Sequence, residues 1–372
     1  MLRRVKRALD ILALEPWLGG SHAVFLEGWA ERSRHRVRTE GLKARHWRWR
    51  MRAGAWELAR RLKGTAPPDA LFVSDYVDLP SLLGFLPAAW SEVPSLLYFH
   101  ENQLTYPGQD GEVEPDFHLG FTNILSCLRA DAVAFNSAWH RAEFQRAALD
   151  LFAQLPKPNP RVELLAKLEG AAVICPGVEL ETIPLGSGGE GPLRVAFNHR
   201  WEHDKDPHAF LAACASAVRA GSELELLLLG ERFESTPPGL EVMLKELEPQ
   251  LVHEGYAPDR ASYAALLGSA DVVASTALHE FFGMAVAEGL AAGCTPLVPD
   301  RLAYPEVLGE ELAAHLYQEG ELSGRLSELG RNPSALRHTT TRAAMRARAE
   351  RWGAARTAER LDELVEGIQA ET

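Results

Sequence analysis

Two glutamates, Glu280 and Glu288, stand eight residues apart in HEFFGMAVAEGLAAGCTPLV, with Gly283 between them. A strand-like run ends just before Glu280 and a helical pattern opens at Met284, so both carboxylates can face one cleft at the carboxyl edge of a sheet. Polar ligands bind in such places. A helix start there also presents unpaired backbone N–H groups to a phosphate. Taken alone, the pair would mean a surface Glu and a helix-cap Glu in an ordinary βα unit, so the case for a site rests on its surroundings. Upstream, NHRWEHDKDP carries Arg200 and Lys205. Arginine meets phosphate through planar two-pronged contacts and lysine as a point charge. Two cations and two carboxylates suit a ligand that is diphosphate at one end and hydroxylated at the other, unless the cations merely pair with Asp204 and Asp206 in a solvated loop.

The N-terminal third offers different chemistry. In EPWLGGSH, Gly19 and Gly20 read as a first βα turn in which missing side chains let backbone N–H groups approach a phosphate or an acceptor. Ser21 and His22 begin the helix that follows, and Ser21 reads equally well as its N-cap. His100 closes the apolar run SLLYFH, and Glu101 and Asn102 follow it as candidates for an acceptor. The stretch HWRWRMRAG is basic and aromatic within a chain of net charge −12. Residues 1–65 carry 16 Lys/Arg against 6 Asp/Glu. A polyanion would therefore be repelled by most of the surface and accepted there. Arg45, Trp47, Arg48, Trp49, Arg50 and Arg52 supply guanidinium groups for phosphates and aromatic faces for bases, as an RNA loop requires. Arg32, Arg34, Arg36, Arg38 and Lys43 extend the patch. The plainer alternative packs both tryptophans inward beneath a solvated face of arginines.

These residues need a scaffold. ALFVSDY, SLLYFH, AVAFNS and AAVICPG follow an opening strand that ends near Glu15, each separated from the next by helical stretches. RVAFNHR, LELLLLG, DVVAST and TPLVPD repeat the pattern in the second half. Such alternation predicts parallel sheets with crossover helices, hence two α/β domains. PLGSGGEGP, 184–192, is the most linker-like stretch. The expected limits are 1–185 for an acceptor-binding domain, 186–345 for a nucleotide-sugar domain, and 346–372 for a helix returning to the first. No apolar run reaches the roughly 20 residues of a membrane span, so no membrane is expected. The four cysteines lack CxxC or Cys/His spacing, which reads as reduced core thiols in a cytoplasmic protein. HEFFG lacks the HExxH spacing of a zinc protease, and no carboxylate cluster reads as a metal site.

Residues 194–300 resemble the retaining GT-B glycosyltransferases of family 4. They share a Glu, a Phe-Gly and a second Glu, here Glu280, Phe282, Gly283 and Glu288, and the run GYAPDRASYAALLGSADVVAST. EPWLGGSH, KARHWRWRMRAGA, YFHENQLTYP and NHRWEHDKDP extend the likeness over nearly the whole chain, to the tRNA-queuosine α-mannosyltransferases. That resemblance implies two Rossmann-like domains facing each other across a cleft. It implies transfer of mannose, with retention, from GDP-mannose to the cyclopentenediol of queuosine at the wobble position of tRNA-Asp. Arg200 and Lys205 would then meet the diphosphate, Glu280 the transferred sugar, Glu288 the ribose, and His100 would lie beside the donor sugar. Phe282, Gly283 and Met284 would border the nucleotide, as would Gly19 and Gly20 its phosphates. No cofactor or metal is implied. The alternative is another nucleotide sugar, or a small-molecule, lipid or polysaccharide acceptor.

Overall fold

A computed structural model describes residues 7–106, 117–230 and 238–371. Val5 and Lys6 of the expected opening strand, Pro107 of YFHENQLTYP and the final Thr372 lie outside these. The described residues form two compact units, one of 7–106, 117–177 and 354–371, the other of 178–230 and 238–353.

The first unit is built on six parallel strands: β1 (Asp10–Leu18), β2 (Arg36–Lys43), β3 (Ala70–Ser74), β4 (Ser95–Phe99), β5 (Ala132–Phe135) and β6 (Ala172–Val173). Their order is β2-β1-β3-β4-β5-β6, so the winding direction switches between β1 and β3. Between them run α1 (Gly20–Arg32), α2 (Trp47–Leu62), α3 (Leu79–Phe85), α4 (Phe117–Arg129), α5 (Ala138–Gln154) and α6 (Arg161–Glu169). β3 and β4 are buried at every position, as strands covered on both faces must be.

The second unit repeats the plan with β7 (Leu193–Phe197), β8 (Leu224–Leu228), β9 (Leu251–Glu254), β10 (Val272–Ala274), β11 (Thr295–Pro299) and β12 (Leu316–Tyr317). The order β12-β11-β10-β7-β8-β9 places its switch between β7 and β10. Its helices are α7 (Pro207–Arg219), α8 (Pro238–Glu246), α9 (Arg260–Gly268), α10 (Met284–Ala291), α11 (Tyr304–Leu308), α12 (Leu322–Gly330), α13 (Ser334–Arg337) and α14 (Thr339–Ala349). A final helix, α15 (Ala354–Glu371), belongs to the first unit.

Two boundaries differ from the sequence reading. The chain passes between units at 177/178 rather than 185/186, because the glycine-rich stretch is packed, not free. A Cβ on Gly186 would sit 2.0 Å from the Gly268 carbonyl oxygen, and one on Gly188 would sit 2.6 Å from Asp271. Glycine serves close backbone approach there instead of flexibility. The second difference is that residues 346–353 stay with the second unit. Buried Arg342 donates to the carbonyls of Gly186, Gly268, Ala270 and Ala292, and Arg346 to those of Leu180, Ile183 and Ala291. The arginines that make the tail look solvated hold it down.

Helix α15 docks through Ala358, Leu361, Val365 and Ile368, a single stripe at helical spacing, which share a core with Phe25, Leu26 and Trp29. Asp362 is 1% exposed within this contact. It accepts from the Trp29 indole N–H at 2.8 Å, the Ser33 hydroxyl at 2.6 Å and the Arg34 backbone N–H at 2.9 Å. Asp362→Ala would strand a buried indole N–H and is expected to destabilise the first unit by about 3 kcal/mol. Chemical denaturation followed by Trp fluorescence checks this; Asp362→Asn, which keeps an acceptor, should lose less.

Candidate functional site

The polar residues of the second unit gather at its switch point. β7 ends in Phe197, and the chain then places Asn198 and His199 at the sheet edge, both with a buried polar atom that has no hydrogen-bond partner. The Asn198 amide donates to Tyr263 Oη at 2.8 Å and to the Ala285 carbonyl at 2.9 Å. Tyr263 passes its own hydroxyl hydrogen to Glu288 at 2.6 Å, and Arg260 pairs with the other Glu288 oxygen at 2.8 Å. Glu288 is therefore held from two sides by α9. Gly283 has φ +105, and a Cβ there would meet the Tyr304 ring at 3.0 Å, so the turn into α10 requires glycine. The N-terminus of α10 has no side-chain cap, which leaves its N–H groups open to an anion.

Lys205 is the charge centre. Its Nζ lies 2.9 Å from the His279 carbonyl, 3.1 Å from Glu280 Oε2 and 3.0 Å from Asp204 Oδ2, so all three of its hydrogens are engaged. Burial would lower the Lys205 pKa, but Glu280 and Asp204 override it and the pKa is raised. Burial would likewise raise that of Glu280, and Lys205 reverses it to a lowered value. The pair stays ionised across the neutral range. His199, by contrast, is driven down to about 4 by burial and by the Lys205 charge, and is neutral.

Other sequence candidates stand apart from this set. Arg200 is exposed and pairs with Glu202 at 2.8 Å, in the solvated manner of the plainer reading although with a different carboxylate. Phe282 is 3% exposed and packs edge-on against Trp352 at 5.6 Å, which makes it a core residue. Met284 is half-buried at the first position of α10.

In the first unit the corresponding edge is more densely polar. Glu15, the last charged residue of an otherwise apolar strand, is fully buried, and its Oε2 lies 2.9 Å from His22 Nδ1. Its Oε1 accepts from the Trp17 backbone N–H at 2.8 Å. His22 stacks on His100 with ring centroids 4.1 Å apart and planes at 26°. Burial alone would lower the His22 pKa; the Glu15 carboxylate overrides it and carries it up to about 9, with Asp75 and Glu101 adding to the pull. His100 is held well below its ordinary value by burial and by the neighbouring His22 charge. Glu15, His22 and His100 have ligand atoms within 4.8 Å of one another, the spacing of a metal site. Near-parallel rings, however, direct their in-plane lone pairs side by side and not toward one ion. A charged His22 above a neutral His100 is the arrangement these groups fit.

Gly19 and Gly20 form the β1–α1 turn as expected. A Cβ on Gly19 would sit 2.6 Å from that of Ala44, and Gly20 takes φ +53. Gly19, not Ser21, occupies the N-cap, so the capping reading of Ser21 fails; Ser21 is exposed on the first turn. Glu101 accepts from Tyr76 Oη at 2.7 Å and from the Gln103 amide at 2.9 Å. Asn102 is fully buried, and its Oδ1 accepts from the backbone N–H groups of Leu104 and Thr105, so it shapes a turn.

The basic segment forms α2, which the sequence reading left unassigned. Its exposed and buried faces divide the candidates. Trp47 is half-buried beside Met51, Tyr76 and Leu119, with the Arg48 guanidinium 5.2 Å above its ring. Arg50 turns back to Glu57 at 2.9 Å. Trp49 is 63% exposed, and so is Trp56 at 53%, with Arg60 5.6 Å over its ring. Trp49, Arg52, Trp56 and Arg60 follow the i, i+3, i+7, i+11 spacing of one helix face. Of the preceding patch, Arg34 pairs with Glu366 and Arg38 with Asp10, both at 2.6–2.7 Å, and Arg32 with Glu31 at 3.6 Å. Those three are compensated, whereas Arg36, Lys43, Arg45, Arg48 and Arg52 are exposed.

Sequence reasoning missed Glu15, Asp75, Tyr76, Trp56, His199, Arg260 and Tyr263. A carboxylate ending the apolar run DILAL was the signal for Glu15; nothing local marks Tyr263 or Asp75. The two histidines yield opposite pH slopes. His22, raised to about 9 from an ordinary 6.5, stabilises fully below pH 6.5 and loses that contribution as pH rises through 9. His199, lowered to about 4, favours folding above pH 6.5 and loses that contribution as pH falls through 4. In Tm profiles from pH 4 to 9, His22→Gln should flatten the alkaline limb and His199→Gln the acid limb.

Comparison with known proteins places this geometry. Residues 10–178 match the family model described as tRNA-queuosine alpha-mannosyltransferase N-terminal, and residues 187–352 match glycosyl transferases group 1. A Drosophila melanogaster protein named tRNA-queuosine alpha-mannosyltransferase is 30% identical over 342 residues, 88% of each chain. A Mycobacterium tuberculosis protein named GDP-mannose-dependent alpha-(1-6)-phosphatidylinositol dimannoside mannosyltransferase is 25% identical over 83% of this chain and 79% of that one. Among solved structures, sucrose-phosphate synthase from Thermosynechococcus elongatus superposes with a TM-score of 0.74 at 15% identity, covering 98% of this chain and all of the other. HepE from Anabaena, solved with UDP and glucose, superposes at 0.63 and 14% over 96% and 100%. These neighbours share the GT-B fold, with its two α/β units. The chain is a glycosyltransferase, and it belongs to the tRNA-queuosine alpha-mannosyltransferase family.

Proposed function

We propose that this enzyme moves mannose from GDP-mannose to the cyclopentenediol of queuosine at the wobble position of tRNA-Asp, with retention at the anomeric carbon. One observation carries the reading: α2, inside the segment matched by the family's N-terminal model, presents alternating tryptophan and arginine on an exposed face. Solvent-exposed tryptophan is uncommon, and two on one helix face among arginines suit splayed bases on a phosphate backbone. The printed names of the Drosophila and mycobacterial relatives support mannose, and the latter supports GDP-mannose. That second relative acts on a lipid by its name, but a basic, Trp-bearing helix favours the nucleic acid.

In this mechanism Lys205 supplies a fixed positive charge and α10 its open N-terminus as negative charge builds on the departing diphosphate. Arg200 swings from Glu202 to the phosphates. Glu280, aligned by Lys205, receives sugar hydroxyls, and Glu288, aligned by Tyr263 and Arg260, receives the ribose. An acceptor hydroxyl attacks the anomeric carbon from the face the diphosphate leaves; the carbon–oxygen bond to phosphate breaks and the departing phosphate oxygen takes the hydroxyl proton. No covalent enzyme intermediate, metal or cofactor takes part.

The test is incubation with queuosine-containing tRNA and a panel of GDP- and UDP-sugars, followed by mass spectrometry of the digested RNA. A hexose on queuosine only with GDP-mannose is expected; its appearance with another donor, or on no tRNA, would sink the assignment. Trp49→Ala/Trp56→Ala should raise the KM for tRNA roughly a hundredfold, at 1–3 kcal/mol per stacked base, with KM for GDP-mannose unchanged. Arg52→Glu should lower tRNA affinity and flatten its salt dependence.

A further inference from the structure

Four buried polar atoms at one edge of the first sheet have no hydrogen-bond partner: Ser74 Oγ, Asp75 Oδ2, His100 Nε2 and Asn102 Nδ2. Folded proteins pair nearly all such atoms, so a cluster of exceptions calls for a physical reason. All four follow or end the neighbouring strands β3 and β4, beside the β1/β3 switch point where ligands of parallel sheets bind.

Among the described groups at this edge, Asp75 has no ion-pair partner. Glu15 is matched by His22. Asp75 is fully buried; its Oδ1 accepts from the backbone N–H groups of His100 at 2.8 Å and Glu101 at 3.5 Å, and its Oδ2 accepts from none. The side-chain charges that act on it are Glu101, His22 and Glu15, two of them negative. Burial and the Glu101 charge hold the Asp75 carboxyl well above the ordinary carboxylate range. Tyr76 and Gln103 both donate to Glu101 Oε1, and Trp17 stacks over Tyr76 at 6.1 Å. This edge thus brings Glu15, Asp75 and Glu101 beside the rings of Trp17 and Tyr76, and the His22 charge there already meets Glu15.

We propose that this sheet edge takes the acceptor, and that Asp75 and Glu101 bind the protonated secondary amine that joins the acceptor's cyclopentenediol to its base. The inference rests on the queuosine reading above and adds how that base is told from others. The ammonium donates to Asp75 Oδ2 and to Glu101. The Asn102 amide and the Ser74 hydroxyl are the neutral groups left for the hydroxyls. Glu15, His22, His100, Tyr76 and Tyr98 are the other titratable groups facing Asp75. An unmodified guanine brings no cation to this position and leaves the carboxyl unpaired, which disfavours it.

The experiment compares wild type, Asp75→Asn and Glu101→Gln on two acceptors with GDP-mannose as donor: queuosine nucleoside, and its analogue with an ether oxygen in place of the amine. Wild type should prefer the amine at least tenfold in kcat/KM, and each variant should lose that preference while its KM for GDP-mannose stays within twofold. Equal use of both acceptors by wild type, or equal loss on both by the variants, overturns the proposal. Should Asp75→Asn fail to fold, the half-buried Glu101→Gln makes the same discrimination. Calorimetric binding of free 5-aminocyclopent-3-ene-1,2-diol separates this claim from the function. If wild type adds no hexose to queuosine yet binds the aminodiol with an affinity that Glu101→Gln lowers at least tenfold, the acceptor reading falls and the carboxylate site stands. Transfer to queuosine that ignores the amine's charge does the reverse.

Discussion

A parallel strand must be entered by a crossover from the opposite end, and that constraint decides where this protein's chemistry sits. Every crossover brings a helix N-terminus back beside a strand C-terminus, so one edge of each sheet collects unpaired backbone N–H groups and whatever side chains the strand ends supply. In the first unit those side chains are Glu15, Asp75 and His100; in the second they are Asn198, His199 and Glu280. The inner strands of each sheet are otherwise nearly all apolar and sealed on both faces. Buried polar atoms without partners recur at both switch points. Others lie away from the switch points, at Gln250, Thr295, His315 and Arg325, but it is at the strand ends of the first unit that four of them fall on two adjacent strands.

The same constraint explains what could be read from sequence. β3, β4, β7, β8 and β11 are covered on both sides, and their continuous apolar runs announce them. The strands that went unrecognised, β2, β9 and β12, are all edges of their sheets. RVRTEGLK and LVHE carry the polar residues that half-exposed edge strands tolerate. Glu280, Gly283 and Glu288 were visible because they lie within one βα unit. Asp75 and Glu15 were not, since sixty residues of chain separate groups that adjacent strands set side by side. Composition misled where packing decided: the glycines of 184–192 serve close contact, and the arginines of 342 and 346 are buried against carbonyls.

An acidic chain with a basic N-terminal segment also makes electrostatic sense once its arginines are sorted. Arg34, Arg38 and Arg50 are neutralised by carboxylates, which leaves a narrower positive face along α2, with Trp49 and Trp56 standing out of it. Net repulsion elsewhere keeps a polyanion from binding indiscriminately. Within the sites the local balance differs again. The second unit surrounds Lys205 with two carboxylates, so that a cation persists in burial. The function proposed above divides the ligands, the donor to the second unit and the tRNA acceptor to the first.

That division of labour is the account's central claim, and hydrogen exchange measured by mass spectrometry addresses it directly. GDP-mannose alone should slow exchange in 198–206 and 279–290 and leave 46–60 unchanged. Queuosine-containing tRNA alone should protect 46–60 together with 15–22 and 98–104, and leave the donor segments unchanged. Protection of 279–290 by tRNA alone, or of α2 by the donor alone, would contradict the assignment of the two ligands to the two units.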